Sequence, residues 1–195
     1  MNNKIFSFLI AMVMTVAGIF LTSCGSDDNG DGGNKSKATT ASAQPEVCIR
    51  SEMFDYFDIT CTIDGETVTL TRDNTYDTSY TPYTDKTKYD VRMYKVSAKQ
   101  YTTFPAKMTV SLTSKVKEGV DIRSIGKLTY LLYVDIAATN DLGGKFAPFQ
   151  HSTDIFRLNK NYDTTKGSDA VIKSLENATV TKTATFENAG SLVIK

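Results

Sequence analysis

The chain has 195 residues, with 22 Lys and Arg matched by 22 Asp and Glu, one His, three Cys and no Trp. Net charge is zero, and the sequence holds no basic patch to argue for nucleic acid and no basic amphipathic helix to argue for insertion into anionic lipid. A single His and so few Cys leave no ligand set at zinc spacing, and no Gly-rich phosphate loop occurs. Neither a metal nor another cofactor is therefore expected.

Met1-Asn2-Asn3-Lys4 leads into an almost unbroken apolar run over residues 5–21. One positive charge, an apolar core and small residues at its end predict a secretory signal peptide over residues 1–23. The alternative is a membrane span, since the run is near the short limit for crossing a bilayer. No Lys/Arg cluster follows to stop transfer; the next charges are Asp27 and Asp28. Leu21-Thr22-Ser23-Cys24 resembles the lipobox of bacterial lipoproteins. The resemblance implies cleavage before Cys24, a diacylglycerol on its thiol and a fatty acid such as palmitate on its new amine. A thiolate is nucleophilic enough for that alkylation, and two or three acyl chains anchor a protein stably. Gly25-Ser26-Asp27-Asp28-Asn29-Gly30-Asp31 is similar to the acidic sorting segment of surface-exposed Bacteroidetes-type lipoproteins. That similarity implies display on the outer face of the outer membrane; a plain solvated linker is the alternative.

Residues 24–45 hold no large apolar side chain and cannot bury enough surface to offset their ordering entropy, so a flexible Gly/Ser/Asp tether is expected. Its r.m.s. span is roughly 25 Å. Pro45 marks the expected boundary, and residues 46–195 form one domain. With Cys24 lipidated, Cys48 and Cys61 remain as an even pair, which in an exported protein suggests a disulfide. Two small buried thiols are the other reading.

Within the domain, strands are predicted wherever apolar residues alternate with polar ones. Residues 47–50 come first. A helical turn over 51–58, capped by Ser51, tucks Phe54 and Phe57 against the core. Asp64-Gly65 between alternating runs is a two-residue hairpin signal. It sets Ile63 opposite Glu66, Cys61 opposite Val68 and Ile59 opposite Leu70. Residues 47–50 would pair with the other edge of 59–63, bringing Cys48 opposite Cys61. Residues 73–89 lack strong alternation and carry Tyr76, Tyr80, Tyr83 and Tyr89, predicting an exposed loop or a loop with ragged edge strands. Its rings suit contact with a glycan or protein, or serve as amphipathic cover over the sandwich edge. Strands follow at 90–98, 100–104, 107–116 and 127–139, the last long and central because both faces are apolar. Further strands are predicted at 153–158, 179–186 and 191–194. Residues 169–178 predict the one short helix, with Ser168 as cap and Val171, Leu175 and Ala178 inward. The sum is an all-β, antiparallel, Ig-like β-sandwich.

Residues 51–63, the Thr-rich strand after them and Phe104-Pro105-Ala106 resemble a group of uncharacterised Bacteroidetes-type lipoproteins with a sandwich domain. The resemblance implies that fold and no activity. Asp163-Thr164-Thr165 is similar to the O-glycosylation motif of the same bacteria, with Thr164 carrying the sugar; a plain polar loop is the alternative. His151 lies in no nucleophile-elbow pattern. The acid pairs Asp55/Asp58, Asp85/Asp90 and Asp135/Asp141 show no cleft geometry in sequence. No catalytic residue is assigned and the chain is not expected to be an enzyme. The expected function is a surface-exposed lipoprotein acting as a binding or structural module of the bacterial envelope. The alternatives are an accessory subunit of an outer-membrane adhesion or glycan-uptake assembly, and a glycan hydrolase with an unrecognised acid pair.

Overall fold

A computed structural model describes residues 37–80, 88–143, 156–157 and 162–195, excepting the side chains of 80, 89, 156 and 157. The signal run, Cys24, Tyr83 and His151 lie outside these residues.

The chain is mostly β. Its first sheet takes β1 (Ala41–Arg50), β4 (Tyr76–Tyr80), β5 (Tyr89–Lys95), β6 (Lys99–Tyr101), β9 (Leu131–Asn140) and β10 (Phe156–Arg157). The spatial order is β10-β9-β1-β5-β4, with β6 also against β1. The second sheet takes β2 (Phe57–Ile63), β3 (Glu66–Leu70), β7 (Ala106–Val116), β12 (Asn177–Asn188) and β13 (Ser191–Ile194), in the order β13-β12-β7-β2-β3. The pairings in both are antiparallel and neither sheet closes. Two short strands, β8 (Lys127–Leu128) and β11 (Tyr162–Asp163), pair separately.

Period-two alternation builds the core. Met108, Val110 and Leu112 of β7, Ile59 of β2 and Phe186 of β12 meet Val47 and Ile49 of β1 and Leu132, Val134 and Ile136 of β9 in one buried cluster. Each such side chain contributes about 1.5–3 kcal/mol when fully removed from water. The two sheets thus face each other across a common core. α2 (Asp169–Glu176) adds Ile172 and Leu175 to it, and the Ser168 hydroxyl accepts the Val171 N–H at 3.4 Å. The cap agrees with expectation, Val171 packs half-buried against the core, and Ile172 joins Leu175 as a buried residue of the helix.

The Asp64-Gly65 hairpin has the expected register in all three pairs. Asp64 and Gly65 both take positive φ, 50° and 94°, the geometry a two-residue turn requires. Other expectations need correction. β1 begins at Ala41, inside the stretch expected to be tether, and Pro45 stands in the strand opposite Ile136. The sheet tolerates this proline because β1 pairs with β6 over residues 41–43 and with β5 over 46–50. Pro45, which lacks an N–H, falls in the break between those partners, and Gln44 Nε2 closes the break by donating to the Val96 carbonyl at 3.2 Å.

β1 does not pair with β2; it lies in the other sheet, between β9 and β5. The long strand expected at 127–139 is interrupted at Thr129 and Tyr130. There the Thr129 N–H donates to the Glu52 carboxylate, and the Leu131 N–H reaches Met53 Sδ at 3.4 Å. Both acceptors belong to the turn around α1 (Met53–Tyr56), a second helix where only a helical turn was expected. Its leading residue, Glu52, makes no side-chain cap, so the expected Ser51 cap is not the device used. Phe54 and Phe57 are buried as expected.

Candidate functional site

Two outward faces carry chemistry, one on each sheet. On the first sheet, register aligns Tyr76, Met93, Cys48 and Tyr133 in one row across β4, β5, β1 and β9. Cys48, Val91, Leu131 and Tyr133 form a second buried cluster with Met93 packed on it. Tyr76 is 39% exposed, and its hydroxyl donates to Met93 Sδ at 3.6 Å. The segment expected to be a tyrosine loop or a loop with ragged edge strands holds the edge strand β4, paired with β5 so that Tyr80 stands opposite Tyr89, and β5 itself matches the strand expected at 90–98. The alternation was masked because both faces of an edge hairpin mix tyrosine with polar residues.

One step along β1 and β9, Glu46 stands opposite Asp135. Asp135 is buried; it accepts the Tyr133 hydroxyl at 3.1 Å and the Ile136 N–H at 2.8 Å. Burial, together with the neighbouring Asp135 charge, raises the Glu46 carboxyl above the usual carboxylate range. Sequence reasoning missed this pair because it sought acids close together along the chain. Glu46 and Asp135 meet only through the β1–β9 ladder. Asp141 sits in a turn, and its carboxylate accepts the Thr39 hydroxyl at 2.6 Å. Those Thr39 bonds hold its carboxyl below the usual range. Among the described residues, no cluster of three metal-ligating side chains occurs.

Cys48 and Cys61 are both free and buried. The expected bridge is not formed, for a topological reason. Cys48 points outward from the first sheet, whereas Cys61 belongs to the core between the sheets. Burial pushes the Cys61 thiol up to about 11 and the Cys48 thiol higher still.

Thr164 is not available for a sugar, because it is fully buried. It opens a 3-10 turn, Thr164–Lys166, that docks on another, Ile122–Ile125. Its Oγ1 accepts the Gly126 N–H at 3.0 Å and lies 3.2 Å from the Gly126 carbonyl, while its own N–H donates to that carbonyl at 2.7 Å. Asp163 instead caps the turn by accepting the Thr165 N–H.

The second sheet presents the other face. On β7, Thr109, Ser111 and Thr113 point outward, and on β12 Thr179, Thr181 and Thr183 do. Their hydroxyls pair across the strands: Thr109 with Thr183 at 3.2 Å, Ser111 with Thr181 at 2.9 Å, Thr113 with Thr179 at 2.9 Å. β2 and β3 extend the array. Thr62 stands between Ser111 and Thr67, and Thr60 between Thr113 and Thr69. The sequence signal was present, a Thr-x-Thr step on β2, β3 and β12 and Thr-x-Ser-x-Thr on β7, but only strand order makes it one surface.

No protein-family model, curated protein or solved structure matches this chain.

Proposed function

We propose that the chain is a lipoprotein fastened through Cys24 to the outer membrane, facing the cell exterior, and that its β domain is a non-catalytic binding or structural module of Ig-like sandwich type. One observation carries this reading: Leu21-Thr22-Ser23-Cys24 closes an apolar export segment and is followed by an acidic, Gly-rich stretch. Two or three acyl chains on Cys24 make a stable anchor, so the domain itself needs no membrane-inserting surface. A second reading, an accessory subunit of an adhesion or uptake assembly, draws support from the outermost strands of the second sheet. β3 carries neither Lys nor Pro, and Val68 and Val193 are exposed there at 38% and 45%. Such strands accept an added strand from a neighbour.

Growth of a Gram-negative host expressing the chain with an alkyne fatty acid tests the anchor. The parent protein takes up the label and fractionates with the outer membrane, and Cys24→Ser does neither. Mature protein that keeps residues 1–23, or an unlabelled parent, refutes the reading. Protease added to intact cells tests orientation: the domain is cleaved only if it faces outward.

A further inference from the structure

The hydroxyl face of the second sheet is built differently from an ordinary solvent face. Exposed strand faces usually interleave Lys and Glu, which keep the surface soluble and discourage association. Here the charged residues stand around the rim: Asp58 and Lys115 opposite each other at one end, Lys107 at the other, and Asp64 and Lys195 flanking the Thr109–Thr183 pair. Between them the rows Thr69-Thr60-Thr113-Thr179 and Thr67-Thr62-Ser111-Thr181 carry no charge and no aromatic ring. The strands run about 4.8 Å apart and successive outward residues stand about 6.8 Å apart along each strand, while facing hydroxyls close to 2.8 Å for Thr62–Thr67 and 2.9 Å for Ser111–Thr181 and Thr113–Thr179. The cross-strand hydroxyl pairs hold the grid in place: within each pair one hydroxyl donates to the other, whose own hydrogen, with lone pairs of both, is left for an outside partner.

We propose that this face binds a neutral polysaccharide, laid on the array so that sugar hydroxyls exchange hydrogen bonds with the Thr hydroxyls and C–H surfaces rest on the Thr methyls. The chemistry selects that occupant. An anionic glycan or nucleic acid would meet no cation in the two central rows. A protein partner would find no Trp, Tyr or Arg anchor of the kind that dominates protein interfaces. A repeating polymer presents hydroxyls periodically, as the grid does. The proposal rests on the reading of the domain as a binding module and names its ligand class; it does not depend on the Cys24 anchor.

The full chain, purified in detergent, is tested by co-sedimentation with insoluble neutral polysaccharides (cellulose, mannan, arabinoxylan, starch) and with pectate as an anionic control. The parent is expected to sediment with at least one neutral polymer and not with pectate. Thr113→Val with Thr181→Val keeps strand propensity and shape but removes two hydroxyls, and is expected to weaken binding about tenfold or more. Thr181→Lys abolishes it, while Tyr76→Ala and Cys24→Ser leave it unchanged. Circular dichroism and the thermal midpoint check that each variant folds. The proposal is overturned if the parent binds none of the neutral polymers. It is overturned, with the binding-module reading left standing, if the Thr→Val pair and Thr181→Lys bind like the parent or if Tyr76→Ala alone abolishes binding. It also falls if the face pairs with a second copy, seen as a dimer that Thr181→Lys dissociates in the absence of any polysaccharide affinity.

Discussion

Thr164→Val isolates one buried hydroxyl. Thr164 and Val are both β-branched and nearly the same shape, so little cavity is created. What changes is the Gly126 N–H, which now donates to Thr164 Oγ1 at 3.0 Å. Gly126 keeps its carbonyl bond from the Thr164 N–H at 2.7 Å, so only the donor is orphaned. A buried donor left unsatisfied costs about 1–3 kcal/mol, and this half-buried one falls at the low end, about 1 kcal/mol. For a domain of this size that corresponds to a fall in thermal midpoint of about 2–4 °C. Urea denaturation should show a lower midpoint with an unchanged slope, since the surface exposed on unfolding is the same. Thr164→Ser, which keeps the hydroxyl, should lose less than half as much. Equal stability of Thr164→Val and the parent refutes the assignment of that hydroxyl to the turn–turn junction. An intact mass that includes a sugar on Thr164 refutes it as well.

Alkylation without reduction, followed by mass spectrometry, should find Cys48 and Cys61 both as free thiols. They should react slowly in the native protein at about pH 8 and rapidly in denaturant, because burial raises both thiols above the ordinary range. Glu46→Gln should be more stable than the parent at neutral pH, with the difference vanishing at acid pH. The sign follows from proton binding: a carboxyl raised in the folded state binds more protons there than in the unfolded chain, so stability falls as pH climbs from the normal glutamate value through the raised one. A pH profile of the parent that rises through that window contradicts the burial of Glu46. Gly65→Ala should cost about 1 kcal/mol in chemical denaturation although a Cβ there meets nothing within 4 Å, because the residue sits at φ +94°. No loss would mean that the turn does not need its left-handed residue.

The amino-acid order alone determined the local geometry of this protein. Asp64-Gly65 determined a hairpin and its register, since a type I′ turn demands positive φ and leaves no freedom in the pairing that follows. Alternation determined which side of β7 would be buried, apolar residues on both faces made β9 a central strand, and Ser168 determined where α2 would start. Each of these rests on residues within a few positions of one another. The tertiary structure alone decided which strands became neighbours. β1 joined β9 and not β2, which separated Cys48 from Cys61, brought Glu46 against Asp135, and placed Pro45 at a gap where its missing donor does no harm. It also buried Thr164, a residue whose polar sequence context read as surface. The Thr-x-Thr steps belong to both levels: each was legible in its strand, and strand order assembled them into one face. Pairing over long sequence separation is settled by how two sheets best cover one another's apolar faces, a quantity that belongs to the whole domain and that no short window of the chain contains.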